Sequence, residues 1–296
     1  MSDTTASLRR KVASAGDLQS VVRTMKAVAA SSIGQYEQSV QALGDYYRTV
    51  ELGLGVCFRG LGSASIPEAT RRTDAGAIGA IVFGSDQGLV GQFNDLVAEY
   101  AAKALGARAE RAQVWAVGER VHAHLKDAGL PLAGFFAVPS AVRAIPALVG
   151  EILLAFEALR DHQEVVELHL YYNRPLSGAA YESVSQRLLP LDEDWLRQRA
   201  RLPWPTETLP DVMGGDIATL RALIREYLFV SLFRACAESL ASENASRLAA
   251  MQRADKNIDE LLEDLNRTFH RLRQSRIDEE LFDVVSGFEA LRAENE

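Results

Sequence analysis

The chain has 296 residues, 48% of them hydrophobic, and a formal net charge of -8. That length suits one large or two small domains with a sizeable core. The acidic balance argues against nucleic acid as a partner, because neutralising phosphates takes clustered Lys and Arg, and no such tract is present. Two cysteines, Cys57 and Cys236, are too few and too distant for a disulfide framework or a thiol-rich metal site, and they fit a reducing compartment.

The start, "MSDTTASLRRK", lacks the apolar core of a signal peptide. The longest apolar stretch, "LPLAGFFAVPSAV", is too short and too proline-broken to span a bilayer. All nine prolines lie between Pro67 and Pro210. An interior proline costs a helix ~3 kcal/mol or more, so both ends are free to form long helices and the middle is not. The expected division is therefore 1–66 as an N-terminal helical arm, 67–210 as a central domain and 211–296 as a C-terminal arm.

In the first arm, apolar or small residues recur at Leu8, Val12, Ala15, Leu18, Val22, Met25, Ala29, Ile33, Tyr36, Val40, Leu43, Tyr47, Val50 and Leu54. Steps of three and four alternate through most of that run, which is a heptad-like seam. Gly16, Gly34 and Gly44 weaken the helix by ~1 kcal/mol each relative to Ala, so it needs a partner. The last arm repeats the period at Ala237, Ala241, Asn244, Leu248, Met251, Asp255, Ile258, Leu262, Leu265, Phe269 and Leu272. Its polar interruptions, Asn244 and Asp255, are of the kind that fixes register. Two such arms on one chain predict an antiparallel intramolecular coiled coil.

The middle reads as α/β. "AIGAIVFGS" is a buried-strand candidate, followed by a helix over Phe93 to Leu105. "AQVWAVGE" is a second strand, and "RVHAHLKDAG" a helix ended by Gly129. "LAGFFAV" is a candidate third strand, "IPALVGEILLAFEALRD" a helix, and "VVELHLYYN" a fourth strand with period-two alternation. "ESVSQRLLPL" is a candidate for one more. Alternating strands and helices predict a largely parallel, Rossmann-like sheet with helices on its faces.

Between the first strand and its helix stands "SDQGLVGQFN", Ser85 to Asn94. A strand, a glycine-rich turn and a helix start is the layout of a phosphate-binding loop. The glycines fall at 84, 88 and 91, which fits neither G-x-G-x-x-G nor G-x-x-x-x-G-K-[ST]. There is no lysine to pair a phosphate, and Asp86 would repel one. A tight strand-to-helix turn is the better reading, and no cofactor is expected.

His122 and His124, two apart on a helix, point to different sides and cannot chelate one metal. His162, His169 and His270 have no ligand cluster near them in sequence. No G-x-S-x-G, H-E-x-x-H or Cys-His nucleophile pattern appears, so neither catalytic nor metal-binding residues are expected. The charged runs "IDELLEDLNR" and "HRLRQSRIDEEL" suit a solvated helix face. The end of the chain does not: "LFDVVSGFEAL" puts Leu281, Phe282, Val284, Val285, Phe288 and Leu291 where a terminus should be polar.

These segments carry a resemblance. "LASENASRLAAMQRADKNIDELLEDLNRTFHRLRQSRIDEELFDVVSGFEAL" resembles the C-terminal helix of the gamma subunits of F-type ATP synthases, and "LRRKVASAGDLQSVVRTMKAVAASSI" resembles their N-terminal helix. "SDQGLVGQFN" is similar to their central strand-loop-helix motif, and "YYNRP" and "RLLPL" match later landmarks in order. The resemblance covers nearly the whole chain.

It implies an antiparallel coiled coil around an α/β domain, acting as a non-catalytic rotor shaft in a bacterial-type complex. The coil would turn inside the ring of alpha and beta subunits, coupling ion-driven rotation to ATP synthesis or hydrolysis. The α/β domain would sit against the epsilon subunit and the membrane-embedded c-ring, as a peripheral membrane protein on the cytoplasmic face of the bacterial inner membrane. Ring-binding positions carried over are Met25 on the first helix and Arg247 on the upper shaft. Arg273 and Gln274 match a pair that engages a loop of the ring, Glu280 and Asp283 match acidic positions beyond it, and Val284, Val285, Phe288 and Leu291 match an apolar bearing. Asp278 stands where the family usually has threonine. Two other readings stay open: a nucleotide-binding α/β enzyme that dimerises through its arms, and a coiled-coil adaptor unconnected with ATP synthesis.

Overall fold

A computed structural model of the chain describes residues 4–61, 77–161, 165–176, 180–208, 210 and 216–293; side chains at 60, 61, 160, 161, 165, 166, 193, 216 and 287–293 lie outside that description. The expected boundary at 66/67 also lies outside it. Two proline-free helices dominate: α1, Thr5–Leu61, and α6, Asp216–Ala293. The chain forms two compact units, one of Met1–Val28 with Leu248–Glu296 and one of Ala29–Arg247.

In the first unit the helices run antiparallel. Positions 5, 9, 19 and 23 of α1 meet 276, 269, 259 and 255 of α6. Val22, Met251 and Ile258 form its buried core, with Met25, Ala250, Ala254 and Leu262 packed against it. The α6 periodicity holds through Met251, Asp255, Ile258, Leu262, Leu265, Phe269 and Leu272, each buried or half-buried.

The α1 periodicity needs one correction. Leu18 is 54% exposed, and the buried position is Gln19. Apolar periodicity selects 15–18–22–25–29, whereas the seam runs 15–19–22–25–29, with Lys26 half-buried beside Met25. The reason is electrostatic: the Gln19 amide donates to Asp259, and the Lys26 ammonium donates to Asp255 Oδ2 at 2.6 Å, with Arg23 Nε on the other oxygen at 3.2 Å. Asp255 therefore does fix register across the coil. Asn244, in the other unit, does not act across the coil in the same way: its amide donates to Leu240 O one turn back in its own helix.

In the second unit a five-stranded sheet has the order β3-β2-β1-β4-β5. Strands β1, Ala77–Phe83; β2, Ala112–Val117; β3, Leu132–Phe136; and β4, Val165–Pro175, pair in parallel. Strand β5, Tyr181–Leu189, pairs antiparallel to β4 and ends the sheet. Between them lie α2, Phe93–Leu105; α3, Glu119–Asp127; and α4, Ile145–Asp161. A short α5, Glu193–Ala200, precedes α6.

Strand alternation sorts the core. Ile81, Phe83, Trp115, Val117, Leu168, Leu170 and Tyr172 face α1, α4 and α6, whereas Ile78, Ala80, Val82, Val114, Ala116 and Tyr171 face α2 and α3. Both faces of β1 are covered, which is why it reads as an unbroken apolar run.

Candidate functional site

The glycine-rich loop is a joint, and its polar groups are used internally. Ser85 N donates to Asn94 Oδ1 at 2.9 Å, and Asn94 Nδ2 donates back to Ser85 Oγ. Asp86 accepts from Glu119 N at 2.9 Å and Val138 N at 3.0 Å, tying the start of α3 to the chain leaving β3. Ser246 Oγ on α6 donates to Val90 O at 2.5 Å and holds the loop from the other side. A Cβ at Gly84 would stand 2.3 Å from Val121 Cβ, so the glycine is a packing requirement.

The histidines also have separate structural partners. His122 meets the edge of Phe135, while His124 Nδ1 lies 3.3 Å from Asp95. His169 Nε2 is 2.9 Å from Glu167, a carboxylate also held by Arg108 at 2.6 Å. Burial holds the His169 imidazole below its ordinary pKa. Among the described residues no group of three or more His, Cys, Asp or Glu is placed to hold a metal.

What α6 leaves uncovered is its end. In the first unit α1 begins at Thr5, whose hydroxyl lies beside Arg276. Past that point Leu281, Phe282, Val284 and Val285 are 57%, 74%, 70% and 50% exposed. Four large apolar side chains within five residues, half or more in water, mark a surface made to be covered. Arg273, Gln274, Asp278, Glu280 and Asp283 are exposed on the same stretch. Arg273 and Glu280 line a groove with Thr5, Arg9, Phe269 and Arg276, where the Arg9 guanidinium lies 5.8 Å over the Phe269 ring. The side chains of Phe288 and Leu291 lie outside those described.

A family model described as ATP synthase matches residues 4–291. The gamma chain of the ATP synthase of Cyanothece sp. is 29% identical over 97% of this chain and 98% of its own. That of Geotalea daltonii is 27% identical with the same coverage. The chain belongs to the ATP synthase gamma family. Its fold is similar to a chain in the rotor of the Euglena gracilis mitochondrial ATP synthase, with a TM-score of 0.65, 15% identity, and 92% and 98% of the two chains covered. A chain from the central stalk and c-ring of the Tetrahymena thermophila enzyme matches with a TM-score of 0.56 at 19% identity, covering 79% and 99%.

Two of the positions carried over from this family stand apart from the exposed end. Met25 is half-buried against Val22, Met251 and Ile258. It borders an open stripe of Leu18, Val21 and Val28, 54–60% exposed, which sequence reasoning missed by assigning Leu18 to the seam. Arg247 belongs to the other unit. Its side chain is 12% exposed and its Nη2 lies 2.6 Å from Glu243 one turn back. Burial pushes the Glu243 carboxyl above its ordinary pKa while Arg247 pulls it down. A buried ion pair within one helix is a structural arrangement in the free chain.

Proposed function

We propose that this chain is the central rotor shaft of an F-type ATP synthase, turning within the ring of alpha and beta subunits and carrying no catalytic site of its own. The arms 1–66 and 211–296 form the shaft, and 67–210 is the domain by which it stands on its base. The single observation that carries the reading, beside the family match, is the exposed apolar end of α6. Burying a large apolar side chain is worth about 1.5–3 kcal/mol, and Leu281, Phe282, Val284 and Val285 are each half or more exposed. Among the described residues no helix is long and apolar enough to cross a membrane.

In this reading Arg273, Gln274, Asp278, Glu280 and Asp283 meet polar groups of the ring, while Val284, Val285, Phe288 and Leu291 form a bearing with Leu281 and Phe282. Met25 contributes from α1 at the margin of the Leu18, Val21 and Val28 stripe. Arg247 acts from the upper shaft, through its pairing with Glu243. The partners are the alpha, beta and epsilon subunits and the c-ring, on the cytoplasmic face of a bacterial inner membrane.

The test is purification of a tagged chain from its own cells. Co-elution with alpha and beta subunits in an ATPase-active particle is the expected result. Isothermal titration of the isolated chain with magnesium ATP should give no stoichiometric binding. An isolated chain that binds ATP and elutes alone would favour the nucleotide-binding enzyme instead.

A further inference from the structure

Among the described residues strand β5 ends the sheet, with β4 as its only partner. An edge strand directs every second N–H and C=O outward, and natural proteins usually blunt such an edge with charge, proline or a covering element. From Tyr181 to Leu189, "YESVSQRLL", the charges are Glu182, paired with Arg174 on β4, and Arg187.

One cleft draws lining residues from both faces of this strand. Gln186 and Leu188 come from the face that packs toward α1 and α6, alongside Tyr47, Trp195 and Tyr227. Ser185 and Arg187 come from the opposite face, alongside His169. A cleft lined from both faces, and by Leu191 and Asp192 just past the strand, wraps the outer edge of the strand's C-terminal part. Its volume is about 440 Å³. On one side it has a rigid aromatic wall: Trp195 lies 5.0 Å from Tyr227, and Tyr227 lies 6.1 Å from Tyr47.

The charges in and around it are unevenly used. Glu167 is held by Arg108 and His169. Asp192 accepts from Asp194 N at the start of α5, and Glu51 beyond the aromatic wall is paired with Arg199 at 2.9 Å. Among the described residues no carboxylate lies within ion-pair distance of Arg187, which is half-buried. A half-buried guanidinium without a counter-ion, on the open edge of a strand in a chain of net charge -8, is a place prepared for a carboxylate.

We propose that the open edge of β5 is a strand-addition site, taking an extended segment of another subunit that sets an Asp or Glu against Arg187. Ladder hydrogen bonds supply the register, the aromatic wall covers the added backbone, and the guanidinium selects an acidic residue. The proposal rests on the rotor reading only in drawing its partner from the same complex.

The test uses the assembled complex carrying Ser185→Cys. Cys57 and Cys236 are buried, so a thiol-anchored photoreactive reagent labels position 185. Illumination and peptide mapping should return one extended segment bearing an Asp or Glu. Hydrogen exchange should show added protection at alternate amides of residues 181–187 in the complex against the free chain. Arg187→Glu should weaken retention of the cross-linked subunit by about tenfold or more, and Arg187→Lys should largely retain it. Cross-links to a helical segment or to no protein, or equal β5 protection free and assembled, would overturn the proposal. Failure of the chain to join alpha and beta subunits at all would instead count against the rotor reading.

Discussion

The exposed end of α6 gives the most direct test of the rotor reading. Consider Phe282→Ala combined with Val284→Ala. Both side chains are about three-quarters in water, at 74% and 70% exposure, and each retains most of the roughly 1.5–3 kcal/mol that full burial would contribute. Truncation to Ala therefore removes roughly 1–2 kcal/mol of docking energy per site, or about thirtyfold or more in affinity for the pair. The free chain should hardly change, because substitutions at such exposed positions usually stay within ±0.5 kcal/mol. The assays are a thermal melt of the isolated chain and salt-wash retention of the variant in the alpha/beta particle. Hydrogen exchange over residues 280–293, free and assembled, is the third readout. A fall in the isolated chain's midpoint of more than about 4 °C, or equal protection in both states, would mean that the chain covers its own tip, and the reasoning would have to be abandoned.

Replacing Arg273 and Gln274 together by Ala should leave the melting point unchanged and lower ATP hydrolysis by the assembled complex; a destabilised free chain would make them structural. Arg247→Ala should cost the free chain about 3–5 kcal/mol, because Glu243 is left buried without its partner. That loss should shrink at acid pH, since a carboxyl whose folded pKa is raised favours the folded state once protonated; denaturant melts of the free chain showing a small, pH-independent loss across pH 4–8 would mean that Arg247 does not neutralise Glu243 there. Asp255, by contrast, is held below its ordinary pKa, first by the Lys26 hydrogen bond and also by Arg23. Its stabilisation is present above the unfolded carboxyl's value of about 4 and is lost as pH falls through the lower folded value. Asp255→Asn should therefore flatten acid destabilisation below about pH 4 in thermal melts. Gly84→Ala should destabilise the α/β unit by about 1–3 kcal/mol, because the new methyl collides with Val121; a neutral denaturant midpoint would show that α3 gives way instead.

How much of this was legible in sequence depended on whether the signal was local. Helices α2 and α4 have the residue limits read from the sequence, because glycine, proline and polar residues bound compact apolar periods there. Helix α5 went unread. Its eight residues have no apolar period, and long-range contacts hold it: Arg199 on Glu51, Trp195 on Tyr227, and the Arg199 carbonyl so close to Gly55 that a Cβ there would stand 2.5 Å away. Asp192, its N-cap, was the one local sign available. The Leu18 and Gln19 exchange was illegible for a related reason. Apolar period prefers leucine, and only a carboxylate 240 positions away, on Asp259, makes glutamine the better buried residue. The exposed end of α6 could be read because its departure from an ordinary polar terminus is visible without knowing any partner.

A two-helix coil suits a shaft for a physical reason. Two helices bury only a narrow stripe; among the described residues of the unit of Met1–Val28 and Leu248–Glu296 the buried hydrophobic side chains are Leu8, Ala15, Val22, Met251 and Ile258. Every other face of each helix is open to a surrounding sleeve. The coil's own register is secured by directional bonds, Lys26 and Arg23 on Asp255 and Gln19 on Asp259, which resist slippage between the helices. The faces turned outward at Leu18, Val21 and Val28, and at Leu281 to Val285, are largely aliphatic or aromatic. Apolar contact is non-directional and scales with the area covered, so a smooth sleeve loses little as such a face turns past it. The coil's polar outward groups, numerous along residues 252–283, are solvated in the free chain, and those that meet the ring, such as Arg273 and Gln274, make and break specific bonds at particular angles. Directional contacts inside the coil and non-directional contacts at its outward apolar patches are what rotation of the coil within a ring requires.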